Sequence, residues 1–240
     1  MPNSALLCGA AARRQLATAR LCLLFTPELA PAGRELEVLE AALPFVDLLQ
    51  VRPKPLGSKA CAEARATHDW ALRVLDLLAA HPGCALVLTV NDRVDVAMAL
   101  AERGVAGVHL GQSDLDPARA RALLGPEALM GLSTHSLDQV IEAEDAPVDY
   151  LGFGPVHATD TKGYTQGLGS ELAWIAGSAA TRPLFPIGGI DRCNAGELAR
   201  IGRAAVSSSI LCAADPAAAA RELRALLAGS TQGSSSSASP

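Results

Sequence analysis

Two carboxylates, Asp92 and Asp114, lie in the stretches "NDRVD" and "HLGQSDL", each just beyond a short apolar run. No set of histidines or cysteines at zinc spacing accompanies them, and an oxygen-only pair suits Mg²⁺, which shares its coordination with water and substrate phosphates. Gln50, Arg52 and Lys54 alternate along "QVRPK". If that segment is extended, the three side chains point the same way, as a row able to cradle pyrophosphate opposite the carboxylates. A second anion site is suggested by Gly188-Gly189 and by "SSSI", where Ser207, Ser208 and Ser209 offer hydroxyls and backbone amides. Between these sets lies "LGFGPVHATDTKG", residues 151–163, an apolar run that ends in Thr159, Asp160, Thr161 and Lys162. A surface turn has no need of that chemistry, whereas a site for an anionic substrate needs most of it.

Each residue alone also has a plainer reading. Asn91 or Asp92 could cap the next helix, Asp114 could close a turn, and Gly188-Gly189 could be a tight turn. Arg52, Lys54 and Lys162 could be solvated charges. His109, within an apolar strand, reads as a hydrogen-bonded core residue; His135 could act in acid–base work or in positioning; His68 and His81 read as surface residues.

The elements that would hold these residues are legible as alternation. Strand signals fall at Leu21–Thr26, Asp47–Arg52, Ala85–Asn91, Ala106–Leu110, Ala128–Leu132, Asp149–Phe153, Pro183–Ile187 and Ala204–Ser208. Helical segments are expected over Gly33–Leu43, Ser58–Ala80, Asp92–Arg103, Asp116–Leu124, Ser136–Asp145, Ser170–Ser178, Arg192–Ile201 and Asp215–Ala228. Asp116-Pro117 and Asp215-Pro216 place an N-cap before a proline at the first helical position. Apolar strands each followed by a helix imply a parallel sheet covered by helices. Eight such units predict a single-domain (β/α)₈ barrel. The rival, an open doubly wound sheet, should carry G-x-G-x-x-G after its first strand, and that strand here runs into "LLFTPEL". In a barrel the active site belongs at the carboxyl ends of the strands, where the polar residues cluster; the opposite connections, "RGVAG", "GPEAL" and "DAPVD", are bland.

The chain has 240 residues, 50% of them apolar and 19% charged, enough for one sizeable core. Residues 1–19 read as an N-terminal extension with helical character, 20–228 as the barrel, and 229–240 ("GSTQGSSSSASP") as a flexible tail. A net charge of −5 argues against a nucleic-acid-coating protein. No apolar run approaches the roughly 20 residues that span a bilayer, so no membrane partner is expected. Arg13, Arg14 and Arg20 precede the first acid, faintly like a targeting peptide, but Arg20 interrupts any signal-like apolar core. Six widely spaced cysteines form no C-x-x-C pair or disulfide pattern. A cytoplasmic protein with small-molecule substrates is expected, and homo-oligomerisation stays open.

The ordered set "VNDRVDVA…GVAGVHLGQSDL", "GLSTHSLDQV", "YLGFGPVHATDTK" and "PIGGI" resembles the thiamine-phosphate synthase family, collinearly from about Leu21 to Leu227. The resemblance implies a Mg²⁺-dependent transferase. It would join 4-amino-2-methyl-5-hydroxymethylpyrimidine pyrophosphate to a thiazole phosphate by dissociative displacement of pyrophosphate. It implies pyrophosphate contacts at Arg52, Lys54, Asn91 and Lys162, Mg²⁺ on Asp92 and Asp114, and pyrimidine contacts at Gln50 and Ser133. The thiazole phosphate would meet Thr159, Thr161, Gly189 and the amides of Ser207 and Ser208. The chain departs from the family pattern at Pro27, where an acid is usual, at His157, where an aromatic is expected, and at Ser207, usually apolar. Extra residues follow Lys54. Two rival functions share this barrel: the related thiazole tautomerase, which lacks the metal carboxylates, and a non-catalytic phosphate-ligand binding barrel.

Overall fold

The computed structural model describes residues 7–54, 60–158 and 166–229, with the side chains of residues 60 and 61 left aside. Thr159, Thr161 and Lys162 therefore lie outside the described residues, as do Asp160, residues 230–240 of the expected tail and residues 55–59 of the extra segment after Lys54.

Eight parallel strands form the sheet: β1 (Leu21–Phe25), β2 (Leu48–Val51), β3 (Val87–Asn91), β4 (Gly107–Leu110), β5 (Leu129–Thr134), β6 (Tyr150–Phe153), β7 (Leu184–Pro186) and β8 (Ala204–Val206). Each pairs with its successor from β1 to β7, and β8 pairs with β1. The remaining seam, between β7 and β8, is held by one bridge, Ile187 to Ala205. The barrel is thus nearly closed, as the alternation of apolar runs and helices predicts.

The helices are α1 (Gly9–Thr18), α2 (Glu35–Ala42), α3 (Ala60–Ala79), α4 (Val94–Leu100), α5 (Pro117–Leu124), α6 (Leu137–Glu142), α7 (Ser170–Ala179), α8 (Ser208–Leu211) and α9 (Pro216–Leu227). Start signals act as read: Asp116 accepts from Arg119 N at 3.1 Å, Asp215 from Ala218 N at 2.9 Å, and Ser136 from Gln139 N at 3.2 Å. One expected helix is corrected. Over Arg192–Ile201 the chain makes only a 3₁₀ turn at Ala195–Leu198, because Asp191 and Asn194 spend their side chains on the loop's own amides. Such local bonds compete with helix formation.

Strand residues alternate between two cores. Leu21, Leu23, Leu49, Val51, Leu88, Val90 and Leu151 face the helices, while Cys22, Leu24, Leu48, Val87, Leu129, Tyr150 and Phe185 face the barrel axis. Helix α1 closes the amino-terminal end of that axis, with Ala12, Leu16 and Ala19 buried against the inner core. Arg13 donates to Asp149 at 2.8 Å, and Arg203 reaches back to the carbonyls of Leu16, Ala17 and Ala19. So the barrel is accessible from its carboxyl end. Leu16 is 2% exposed; Leu16→Ala is expected to cost about 2–4 kcal/mol in denaturant unfolding, without altering substrate KM values, since it empties a site far from the mouth.

Candidate functional site

A cavity of about 650 Å³ opens at the carboxyl end of the strands, a size that suits small organic ligands. Its walls bring together Gln50, Arg52, Asn91, Ser133, Gly189, Ser207 and Ser208 from strands widely separated in the chain. Every described residue implicated by the resemblance thus lines this cavity except Lys54, Asp92 and Asp114; Asp92 follows Asn91 and feels the charges of Asp114, Lys54 and Arg52.

Gln50 and Arg52 are 3% and 5% exposed, while Lys54, two residues further, is exposed. The alternation carries the row from the cavity wall to solvent. The Gln50 side chain approaches the Tyr150 hydroxyl, but its Oε1 atom is buried and within hydrogen-bond distance of no donor among the described residues. An orphaned buried acceptor costs about 1–3 kcal/mol, so this one is set up to receive a ligand's N–H. Burial pulls the Arg52 guanidinium below its ordinary pKa, and the charges of Asp92 and then Glu28 oppose that pull. Glu28 follows Pro27, so the acid missing from the family's usual position stands one residue later, within reach of Arg52.

The capping reading of Asn91 and Asp92 is corrected. Helix α4 starts at Val94 with Arg93 at its N-cap and no side-chain cap. Asn91 Nδ2 instead donates to Asp92 Oδ2 at 2.5 Å, and Asp92 has φ of 60°, a left-handed conformation that asparagine and aspartate tolerate better than most residues. That turn brings its carboxyl to Asp114. Asp92 is pushed up to about 6, chiefly by burial and then by Asp114, against the pull of Lys54 and Arg52. Asp114 also keeps its turn role, accepting from Gly111 N at 2.7 Å. Among the described residues no cluster of three or more His, Cys, Asp or Glu could hold a metal. Two carboxylates are what Mg²⁺ needs from protein when substrate phosphates supply further oxygens.

On the far side, Gly188 and Gly189 have φ of 101° and 61°. A Cβ on Gly189 would sit 2.4 Å from Ala158 O, so this turn packs against the start of the loop leaving β6. Ser207 Oγ donates to Leu24 O at 2.8 Å, tying β8 to β1. A ligand here would therefore meet the Ser207 backbone rather than its hydroxyl. His157, where the family carries an aromatic, borders the loop: its N–H donates to Gly188 O at 3.0 Å, and its Nε2 lies 4.0 Å from Glu197.

His109 is the buried, hydrogen-bonded strand residue expected, and two further contributors, Gln112 and Tyr150, had no role in the sequence reading. His109 Nε2 lies 2.9 Å from Ser133 Oγ, and Gln112 Nε2 donates to Ser133 O at 2.6 Å. Tyr150, read only as strand, is 2% exposed and turns into the cavity floor. "HLGQ" showed polar residues after a strand but not their target, which depends on the β4–β5 register. His135 Nδ1 sits 2.6 Å from Gly154 O at the cavity wall, a positioning contact. Cys22 is buried and Cys84 half-buried, and the described cysteines are free thiols.

Comparison with known proteins agrees with this geometry. The model of the family described as Thiamine monophosphate synthase matches residues 21–210. A thiamine-phosphate synthase from Gloeobacter violaceus is 42% identical over 211 residues, covering 87% of this chain and 57% of that protein. One from Azorhizobium caulinodans is 41% identical over 194 residues, 79% of this chain and 85% of its own length. The chain spans little more than half the length of the first of these relatives. The structure of thiamine phosphate pyrophosphorylase from Pyrococcus furiosus superposes with a TM-score of 0.71 at 27% identity, covering 90% of this chain and 97% of the other. Among the described residues no helix is long and apolar enough to cross a membrane. With a barrel, a polar mouth at its carboxyl end and these relatives, the chain belongs to the thiamine monophosphate synthase family.

Proposed function

We propose that this chain condenses 4-amino-2-methyl-5-hydroxymethylpyrimidine pyrophosphate with a thiazole phosphate to give thiamine phosphate and pyrophosphate. The observation that carries the reading is a buried cation, Arg52, beside a facing carboxylate pair, Asp92 and Asp114, at the edge of a cavity that holds an orphaned amide oxygen. Gln50 Oε1 accepts from the pyrimidine amino group and Ser133 holds the ring. The C–O bond to pyrophosphate breaks with its electron pair going to the leaving group, and the aminopyrimidine stabilises the methylene cation left behind. The thiazole nitrogen then forms the C–N bond with its lone pair.

Arg52, Lys54, Asn91 and Lys162 neutralise or hydrogen-bond the departing pyrophosphate, whose charge grows as the bond stretches. Asp92 and Asp114 would hold Mg²⁺, which would supply charge neutralisation for the departing pyrophosphate. Gly189, the Ser207 and Ser208 amides, Thr159 and Thr161 hold the thiazole phosphate. No covalent nucleophile is required, so the protein's part is orientation and electrostatics. Free thiols fit a cytoplasmic setting.

The test is to mix the purified chain with both substrates and Mg²⁺ and follow thiamine phosphate by chromatography. Product that depends on both substrates is expected. Binding of thiamine phosphate by folded protein that never forms it would replace this reading with a binding barrel.

A further inference from the structure

We propose that Tyr150 is a positioning residue for this transfer: its ring sets the His109 imidazole, and His109 sets the Ser133 hydroxyl against the pyrimidine. The inference rests on the synthase reading for the role of Ser133, and on geometry for the rest.

Strand register places His109, Gly131 and Tyr150 side by side on β4, β5 and β6. The middle position has no side chain, so the outer two meet across it. Their ring centroids are 5.3 Å apart, with planes inclined by 40°. A Cβ at residue 131 would stand 2.2 Å from Tyr150 Cζ and 2.3 Å from His109 Nδ1, so the contact exists only because that residue is glycine. One layer nearer the mouth, Ser133 pairs with Gly152, where a Cβ would come within 3.3 Å of His109 Cε1. Two glycines thus clear the space in which the imidazole lies. Phe185 backs Tyr150 edge-on, with centroids 6.0 Å apart.

The far end of the stack is polar. His109 Nε2 meets Ser133 Oγ at 2.9 Å, and Gln112 anchors the Ser133 carbonyl at 2.6 Å. A serine hydroxyl has one donor and two acceptor directions. With one direction taken by the imidazole and the main chain pinned, those that remain are fixed relative to the cavity. Tyr150 acts through another side chain: its ring flanks the imidazole in the space over Gly131 and holds it towards Ser133. Positional errors of about 1 Å in such groups can cost two orders of magnitude in rate.

A core tyrosine with no such role would also destabilise the fold when replaced, so the test must read coupling. Wild type, Tyr150→Leu, Ser133→Ala and the double variant form a cycle, with steady-state kinetics for each substrate. Tyr150→Leu is expected to lower kcat about tenfold and to raise KM for the pyrimidine pyrophosphate but not for the thiazole phosphate. In the Ser133→Ala background the same change should alter kcat by less than about twofold. Tyr150→Phe, which keeps the ring, should recover kcat to within about threefold of wild type. Equal losses from Tyr150→Leu in both backgrounds, or an equal rise in both KM values, would overturn the proposal. If Tyr150→Leu does not fold, His109→Leu is cycled against Ser133→Ala, and additivity there overturns it. A wild type without turnover refutes the synthase reading instead. Calorimetric titration of the pyrimidine pyrophosphate into the same proteins then reads the coupling as a ratio of Kd values, and additive Kd changes refute the positioning role.

Discussion

Arg52→Ala is expected to lower kcat/KM for the pyrimidine pyrophosphate by about 10²–10³, the loss typical of one preorganised charge-stabilising group. The size follows from where the guanidinium sits. It is 5% exposed, and the charges that face it are carboxylates that keep it ionised against the cost of burial. A cation in that setting interacts with a developing diphosphate charge far more strongly than one in water. Lys54, exposed at the rim, should matter less: Lys54→Ala is expected to cost about tenfold, mainly in KM and more at low salt, because exposed charges are screened. Arg52→Lys should recover only part of the loss, since an ammonium cannot reproduce the fork of the guanidinium. Initial rates across both substrate concentrations decide the matter, and a change below about threefold for Arg52→Ala would remove Arg52 from the leaving-group site.

The second large effect concerns the carboxylate pair. Asp92→Asn combined with Asp114→Asn should abolish Mg²⁺-dependent turnover, by at least about 10³-fold, while the protein stays folded. Without divalent cation, the single variant Asp92→Asn should melt higher than wild type by about 2–4 °C at neutral pH, because it relieves a buried charge facing a like charge. The pH dependence has a definite sign. The ordinary value for Asp92 is 3.8 and its folded value is about 6. The native state thus keeps a proton that the unfolded chain has already released, so this group's stabilisation is complete below about pH 4 and is lost as pH rises towards 6. The variant lacks that loss, and the melting difference, variant minus wild type, should grow through this window and then level off. Mg²⁺ should reverse the difference above pH 6 by binding only the wild type. Scanning calorimetry with and without Mg²⁺ from pH 4 to 8 tests both parts. A difference that does not change with pH would show that Asp92 ionises like an exposed carboxylate.

How far the chain could be read depended on whether a property was local. N-caps at Asp116, Asp215 and Ser136 were legible because a cap needs only its own turn. The strands were legible because barrel strands are buried on both faces and become continuous apolar runs. The Arg192–Ile201 segment misled, since its helical spacing competes with side-chain bonds at Asp191 and Asn194 that composition does not rank. Asp92 and Asn91 carried the same ambiguity: the residue types suit a cap, but φ at Asp92 directs the carboxyl to the neighbouring strand's loop.

By itself the sequence determined the barrel and the polar and charged residue types that gather at the carboxyl ends of its strands, because both are written in short-range alternation and in side-chain charge. Tertiary structure alone decided which of those residues are withdrawn from water, that Ser207 spends its hydroxyl on β1, that His157 packs against the Gly188-Gly189 turn, and that the Glu28 charge acts on Arg52. It also decided that Tyr150 and His109 meet across Gly131. These depend on strand register and on the closure of β8 against β1, which join residues far apart in the chain. A one-residue slip in register would turn His109 or Tyr150 to the opposite face.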